Sequence, residues 1–250
     1  MTPSFRNTLL GQNGPMLDTR KVDGVTVLTM DGGENRFNAD SVAALDDAVV
    51  AAAATGTPLV LTGAGKFFSN GLDLDWMGTA GAEAAGAALR RLYRLLARLL
   101  AYPGATVAAV NGHAFGAGAI LAAAADDRVM RSDRGYFCFP EVDLGMAMSP
   151  GFDAVLQARY PRQVLLRALV SGRRHGGDEA VAAGLVDEAV PEDRLLPVAV
   201  ARAAALAGKD GASVGRLKAG LHAAALAVLA AEAGGGLEGA ATEGGAEPAP

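Results

Sequence analysis

Apolar and polar residues alternate in short runs near the start of the chain, and longer segments of helical periodicity follow them. Two runs, residues 17–22 and 25–30, flank Asp23-Gly24, a dipeptide typical of a tight turn between antiparallel strands. They predict a hairpin. Further strands are predicted in four apolar runs: residues 59–62, 105–110, 128–131 and 136–139. The strands alternate with helical segments, which predicts the α/β class.

Helices are predicted where apolar residues recur every three or four positions. Asp40 or Ser41 is expected to cap a helix that ends at Ala54. Segment 82–102 places leucines on one face of a helix and arginines on the other. The remainder of the chain is mostly helical in pattern. It contains predicted helices at residues 152–159, 162–170, 177–183, 193–207 and 213–232, and the helical pattern is interrupted at residues 185–190.

The composition narrows the class of protein. The chain has 250 residues, 51% of them hydrophobic, which is enough for one large core. Its 22 Lys+Arg against 27 Asp+Glu argue against a nucleic-acid partner. The single cysteine, Cys138, excludes an intramolecular disulfide, and the three histidines show no ligand spacing. We therefore expect no metal and no cofactor, in a reducing cytoplasm.

Neither terminus carries a recognisable address. The first residues lack the basic flank and apolar core of a secretory signal, and the last residues are not of the Ser-Lys-Leu type. Residues 106–125 are long enough to consider as a membrane span, but Asn111, His113 and glycines interrupt them. They fit a buried strand followed by a buried helix better, so no membrane association is expected.

Residues 111–121, NGHAFGAGAIL, place three glycines between a predicted strand and an alanine-rich helix. Their spacing does not fit G-x-G-x-x-G or a phosphate-binding P-loop, which disfavours a nucleotide-dependent oxidoreductase. G-x-S-x-G is absent, which disfavours a serine hydrolase. Unpaired N–H groups at the first turn of a helix can bind an oxyanion. Tight helix packing would explain the glycines equally well, and this segment alone leaves both readings open.

A second segment, KFFSNGLDL at residues 66–74, follows strand 59–62 at the edge of the sheet where α/β proteins usually bind ligands. FSNGLDL resembles the F-S-x-G-x-D-L signature of the crotonase family, also called the enoyl-CoA hydratase/isomerase family. NGHAFGAG resembles the second glycine-rich segment of that family. FPEVDLGMAMSPG and SGRRHGGDEAVAAGLVDEAV continue the resemblance in the same order, over about residues 17–230.

The resemblance implies a spiral of repeated β-β-α turns over residues 16–190. It implies that helices at residues 191–233 pack against neighbouring subunits in a homotrimer or a dimer of trimers. Residues 1–15 are then a loose extension, and residues 234–250 have too few large apolar groups to fold. The substrates expected are acyl-CoA thioesters, with coenzyme A as part of the substrate. The thioester oxygen would lie between the backbone N–H groups of Leu72 and Ala117.

The resemblance also identifies an acid/base residue. Hydratases of the family have a glutamate at the place of Ile120 and a second one in the segment that corresponds to Pro140-Glu141. This chain keeps only Glu141. Two carboxylates suit the addition of water, whereas one suits proton transfer between two carbons. The pattern therefore resembles the single-glutamate Δ3,Δ2-enoyl-CoA isomerases, and burial near Phe137 and Phe139 is expected to raise the pKa of Glu141.

Other residues are assigned to substrate binding by their position in these segments. Arg36 and Lys66 are candidates for the phosphates of coenzyme A, although a solvated face explains them equally well. Trp76, Phe115 and Met146 could line the acyl tunnel, with ordinary core packing as the alternative. The two loops contribute the remaining candidates, which are Asn70, Gly71, Asp73 and Gly116. Asp73 is expected to order its loop rather than act on substrate.

Three functions remain open at this point. The first is a double-bond isomerase. The second is another reaction of the same family, such as hydration or hydrolysis, because the fold alone does not decide the chemistry. The third is a binding protein for acyl-CoA without catalytic activity, for which the loss of the glutamate at Ile120 would be a sign.

Overall fold

A computed structural model describes residues 16–234 of the chain. Four successive units each contain two strands followed by helix, as the resemblance implies. The first two units are β1 (Met16–Val22), β2 (Val25–Asp31), α1 (Ala39–Ala54) and β3 (Leu59–Gly63), β4 (Phe67–Ser69), α2 (Leu74–Ala80), α3 (Ala82–Leu100). The next two are β5 (Thr106–Val110), β6 (His113–Phe115), α4 (Ala117–Ala124) and β7 (Asp127–Arg131), β8 (Phe137–Cys138), α5 (Pro150–Arg159).

The rest of the described chain is mostly helical. It consists of α6 (Arg162–Ser171), α7 (Gly177–Ala182), β9 (Glu188–Val190), α8 (Glu192–Ala204), α9 (Gly211–Leu221) and α10 (Ala223–Glu232). The predicted α/β class is confirmed.

The strands form two sheets. The larger has the order β1-β2-β3-β5-β7-β9, in which β1 pairs with β2 as the predicted antiparallel hairpin and all other pairs are parallel. The smaller sheet is parallel and has the order β4-β6-β8. From β3 onward, the first strand of each unit joins the large sheet and the second joins the small one. The carboxyl ends of β3 and β5 therefore lead directly into the small sheet.

The large sheet is buried on both faces because alternate residues of each strand point in opposite directions. Leu28 and Leu61 pack on one side into the main core, which includes α1, α3, α4 and α5. Val27 and Val60 pack on the other side against α8, which contributes Ala199 among others. Continuous apolar runs such as β3 and β5 are what a strand buried on both faces requires.

Two glycines allow backbone segments of successive units to pack in direct contact. A Cβ atom on Gly112 would lie 2.0 Å from the carbonyl oxygen of Lys66, and one on Gly118 would lie 2.4 Å from that of Ser69. Neither position has room for a side chain. Tight packing, one of the two interpretations that the sequence left open, is therefore correct for Gly112 and Gly118. Gly116 has a different role.

Several predicted boundaries are wrong. Residues 213–232 do not form one helix, because α9 and α10 meet at 83°. The buried residues Ala225 and Leu229 of α10 join the main core, and this burial outweighs the high helix propensity of an uninterrupted alanine-rich segment. Asn38, rather than Asp40 or Ser41, caps α1 and accepts from the N–H of Ser41. The sequence pattern missed β4, β6 and α2, since three-residue strands and a two-turn helix leave little periodicity.

The stretch at residues 106–125 contains strand β5 and helix α4, as predicted, with the unpredicted strand β6 between them. Between residues 16 and 234, no single helix is long and apolar enough to cross a bilayer, although α9 and α10 together meet the criterion as a bent pair. The same residues contain no cluster of three or more histidine, cysteine, aspartate or glutamate side chains that could hold a metal ion. The extension at residues 1–15 and the tail from residue 235 lie outside the described residues.

Candidate active site

The orientation of the Leu72 amide is set by the peptide that it shares with Gly71. Gly71 has φ +82°, which favours glycine, and its carbonyl oxygen accepts a hydrogen bond from the N–H of Phe37 at 2.8 Å. In a trans peptide the N–H points opposite to the C=O. The Leu72 N–H therefore points away from Phe37.

The Ala117 amide is oriented in the same way by a different partner. Gly116 has φ +50°, and its carbonyl oxygen accepts from the N–H of Ile120 at 3.0 Å in the first turn of α4. Ala117 is the first residue of that helix, so its N–H has no acceptor within the helix. The N–H of Gly116 itself donates to the Cys138 carbonyl at 3.1 Å, which anchors the turn to β8.

Gly71, the residue before Leu72, lies against the Ala117 amide. A Cβ atom on Gly71 would be only 3.2 Å from the backbone nitrogen of Ala117 and 2.8 Å from the carbonyl oxygen of Phe115. Among the described residues, the loop hydrogen bonds leave the N–H groups of Leu72 and Ala117 without an acceptor. Unpaired donors beside a helix N-terminus can bind an oxygen atom that carries negative charge.

Glu141 lies next to this pair. A Cβ atom on Gly116 would be 3.3 Å from Oε1 of Glu141. The other carboxyl oxygen, Oε2, is buried and has no hydrogen-bond partner among the described residues. Burial raises the pKa of the Glu141 carboxyl above its ordinary value. The carbonyl of Glu141 accepts from the N–H of Met146 at 2.9 Å, which closes the loop that carries the side chain. The backbone of Glu141 is therefore fixed, and one carboxyl oxygen has no hydrogen-bond partner among the described residues.

The two neighbouring positions that could have supplied a second acid do not do so. Ile120 is fully buried in the main core, so its place in α4 is apolar. Asp143 is exposed and packs against Gly172, where a Cβ atom would come within 2.6 Å of its Oδ2.

Arg36 is surrounded by acidic side chains. Its guanidinium donates to Glu34 at 2.6 Å and to Asp75 at 3.0 Å. Asn70 donates to the same carboxylate of Glu34 at 3.0 Å, and these hydrogen bonds from Asn70 and Arg36 lower the pKa of Glu34. The charge of Arg36 is thus balanced within the protein. A contact between Arg36 and the phosphates of coenzyme A remains a prediction. In the structure, the hydrogen bonds of Arg36 connect the side chains of Glu34 and Asp75.

The other predicted residues are distributed around the two loops. Lys66 is exposed, and its Nζ lies 5.7 Å from the centre of the Phe67 ring. Asp73 caps α2 by accepting from the N–H of Trp76 at 3.1 Å. Trp76 and Phe115 are half-buried, and Met146 is 45% exposed. Contact of these side chains with substrate remains a prediction.

Sequence reasoning missed Asn35, which binds the backbone of β4, the strand that leads into the loop of Leu72. Asn35 is buried with φ +52°, and its Nδ2 donates to the carbonyls of Phe67 and Phe68, each at 3.1 Å. Its Oδ1 accepts from the N–H of Gly32 at 2.8 Å. Asparagine tolerates positive φ better than most residues, so an asparagine two positions after the Gly32-Gly33 pair was the available signal.

Comparison with known proteins identifies the family of the chain. Residues 20–235 match the sequence profile described as enoyl-CoA hydratase/isomerase. The chain belongs to this family, which confirms the crotonase resemblance and the fold, and it is an enzyme.

Individual relatives include both reaction types. The chain is 39% identical over 186 residues to enoyl-CoA delta isomerase 2, peroxisomal, of Arabidopsis thaliana, which covers 70% of this chain and 77% of that protein. It is 34% identical over 159 residues to the 2,3-dehydroadipyl-CoA hydratase of Escherichia coli, which covers 62% and 61%. The apo structure of an enoyl-CoA isomerase of Mycobacterium tuberculosis superposes with a TM-score of 0.80 at 29% identity, over 88% of this chain and 96% of that one.

Proposed function

We propose that the protein is an isomerase that converts 3-enoyl-CoA to 2-enoyl-CoA, with a role in fatty acid oxidation. The observation that carries this proposal is a carboxylate, Glu141, whose Oε2 is buried and unpartnered among the described residues and whose Oε1 lies near Gly116, the residue before the unpaired N–H of Ala117. The place in α4 that could hold a second carboxylate is occupied by Ile120. The relative in Arabidopsis thaliana that is named an enoyl-CoA delta isomerase supports the same reaction.

The proposed reaction has two proton transfers. Glu141 takes a proton from C2, and the electrons of that C–H bond delocalise into the thioester to form a dienolate. The N–H groups of Leu72 and Ala117 bind the dienolate oxygen. The protonated Glu141 then returns the proton to C4, which leaves the double bond between C2 and C3. No electron leaves the substrate, so the reaction requires no redox cofactor.

Burial of Glu141 suits both steps. A carboxyl group with a raised pKa is a stronger base toward C2 and still a usable acid toward C4. The fixed amides of Leu72 and Ala117 stabilise charge that exists mainly in the intermediate, without reorganising when it forms. Loss of one such donor typically costs about 10²–10³ in turnover. Glu141 thus transfers the proton, and the two amides stabilise the negative charge that its removal places on the thioester oxygen.

Hydration is the second candidate, because a hydratase of Escherichia coli is 34% identical to this chain. Addition of water needs one group to activate the water and another to deliver the proton. Ile120 supplies neither, so we place hydration second.

The test is to mix the purified protein with 3-hexenoyl-CoA and follow the absorbance of the conjugated thioester. We expect 2-hexenoyl-CoA to form. Formation of 3-hydroxyhexanoyl-CoA from added 2-hexenoyl-CoA, without isomerisation, would identify a hydratase instead. Tight binding of both thioesters without any product would identify a non-catalytic binding protein.

We also propose a homotrimer or a dimer of trimers in the cytoplasm. Large apolar side chains are exposed on two helices of the C-terminal part: Leu217 (69%) and Leu221 (82%) on α9, and Val170 (64%) on α6. Contact with a second copy would cover this surface. Analytical ultracentrifugation should give three or six subunits for the wild type, and a smaller species for Leu221→Lys. A monomeric wild type would contradict the proposal.

A further inference from the structure

Ser69 is a fully buried residue that is neither the proposed acid/base nor one of the two proposed donors to the thioester oxygen. It is the last residue of β4, and its side chain has two hydrogen bonds. Its Oγ donates to the carbonyl of Asn35 at 2.7 Å and accepts from the N–H of Gly71 at 3.2 Å. The hydroxyl therefore connects Asn35 to Gly71, the residue that immediately precedes Leu72.

Ser69 is also the contact between this loop and the first turn of α4. A Cβ atom on Gly118 would lie 2.4 Å from the carbonyl oxygen of Ser69 and 2.8 Å from its Cβ. Gly118 directly follows Ala117. Ser69 thus contacts the neighbours of both amides that we assign to the thioester oxygen. It is hydrogen-bonded to Gly71, which precedes Leu72, and it packs against Gly118, which follows Ala117.

We propose that Ser69 is a positioning residue that sets the relative direction of the Leu72 and Ala117 N–H groups. The inference rests on the proposed function, because it assumes that these two amides bind the thioester oxygen. The backbone and Cβ of Ser69 set the distance between the loop and α4. The hydroxyl holds the N–H of Gly71, and the carbonyl of Gly71, which shares its peptide with the N–H of Leu72, is held by the N–H of Phe37. Both hydrogen bonds together fix the backbone of Gly71 and with it the direction of the Leu72 N–H.

The effect of the hydroxyl follows from the angular dependence of hydrogen bonds. Gly71 has a positive φ and no side chain, so its backbone turns more easily than that of other residues. Without an acceptor for the Gly71 N–H, the backbone at Gly71 can turn and carries the Leu72 N–H with it, and a hydrogen bond weakens steeply as its angle departs from linear. The dienolate oxygen carries more charge than the thioester oxygen. Misalignment therefore affects the intermediate more than the bound substrate.

Ser69→Ala tests this inference, because it removes the hydroxyl and keeps the Cβ that packs against Gly118. Thr62→Val is the matched control. Thr62 Oγ1 is also buried and donates to the carbonyl of Ala109 at 2.8 Å, within the large sheet. Thr62→Val loses one buried hydrogen bond and Ser69→Ala loses two, and of the two residues only Ser69 contacts the loop of Leu72. Melting temperatures establish that both variants fold.

Two readouts are compared in the full-length protein. The first is the kinetics with 3-hexenoyl-CoA: we expect kcat of Ser69→Ala to fall about tenfold, with KM changed less than about twofold. The second is the infrared carbonyl stretch of bound [1-13C]hexanoyl-CoA, which reports hydrogen bonding to the thioester oxygen without turnover. We expect its shift to lower frequency to be smaller in Ser69→Ala and unchanged in Thr62→Val.

Equal kcat and an equal carbonyl shift in Ser69→Ala and wild type would overturn the role of Ser69. The same losses in Thr62→Val would overturn it too, because they would show a general effect of stability. A wild type that shifts the carbonyl frequency but does not isomerise 3-hexenoyl-CoA would refute the proposed reaction alone. In that case the frequency comparison still decides whether Ser69 positions the amides.

Discussion

Gly116 and Glu141 are in direct contact across the candidate site, since a Cβ atom on Gly116 would lie 3.3 Å from Oε1 of Glu141. The glycine orients the amide of Ala117 through its positive φ, and at the same place it leaves room for the carboxylate. The proposed base and one proposed oxyanion donor are thus positioned by the same residue. Changes at Gly116 should therefore affect catalysis through both groups.

Gly116→Ala is expected to fold with a stability loss of about 1–3 kcal/mol, because the backbone conformation at this position strongly favours glycine. We expect kcat to fall at least about tenfold, since the added methyl displaces Glu141 and the strained turn moves Ala117. Gly208→Ala is the control, because Gly208 also has positive φ but no atom within 4 Å of an added Cβ. Equal activity in the two variants, measured with 3-hexenoyl-CoA, would contradict this account.

Glu141→Gln should reduce kcat by about 10²–10⁴, because the amide cannot accept the C2 proton. Binding of a saturated acyl-CoA should change little, since size and shape are retained. Calorimetric titration with hexanoyl-CoA measures the binding. Asp143→Asn is the control, as this carboxylate is exposed and packs against Gly172. If Asp143→Asn is inactive and Glu141→Gln is active, the base has been assigned to the wrong residue.

The raised pKa of Glu141 also predicts how stability depends on pH. The folded protein holds this proton more tightly than the unfolded chain, so the contribution of Glu141 to stability falls as pH rises from the ordinary value of 4.5 through the raised value. Glu141→Gln does not titrate. We expect the variant to be more stable than wild type at neutral pH, by a margin that shrinks toward pH 4.5. Urea unfolding at several pH values measures the margin, and a constant margin would refute burial as the cause.

The activity should depend on pH for the same reason. Glu141 must be ionised to take the proton, so kcat/KM, which reports the protein without bound substrate, should rise with pH through the raised pKa of this carboxyl rather than near 4.5. A pH profile with 3-hexenoyl-CoA measures this. An acid limb at the ordinary glutamate value would indicate that the base is exposed to solvent.

Lys66→Ala is expected to raise KM for acyl-CoA about three- to tenfold, because an exposed cation contributes modestly to phosphate binding. Arg36→Ala should have a smaller effect on KM, since Glu34 and Asp75 already balance that charge. The pantetheine thioester of the same acid lacks the nucleotide phosphates and should show no effect of Lys66→Ala. A larger change in KM for Arg36→Ala would reverse the assignment.

The hairpin β1-β2 and the buried strands β3 and β5 could be predicted from the sequence, because alternation and apolar runs report burial directly. The short strands β4 and β6 could not be predicted. Their few residues are held by contacts between Gly112 and Lys66 and between Gly118 and Ser69, which are distant in the chain. The bend at His222 was missed for the same reason, since the packing of α10 decides it.

The sequence by itself determined the family, through motifs in a fixed order, and the combination of Glu141 with an apolar residue at position 120. Only the tertiary structure decided that Gly71 lies against the Ala117 amide, that Glu141 lies near Gly116, and that the guanidinium of Arg36 is paired within the protein. Local patterns encode which surfaces are buried. The direction of a backbone N–H depends on what its peptide carbonyl binds, and here one of those partners, Phe37, comes from a distant segment of the chain.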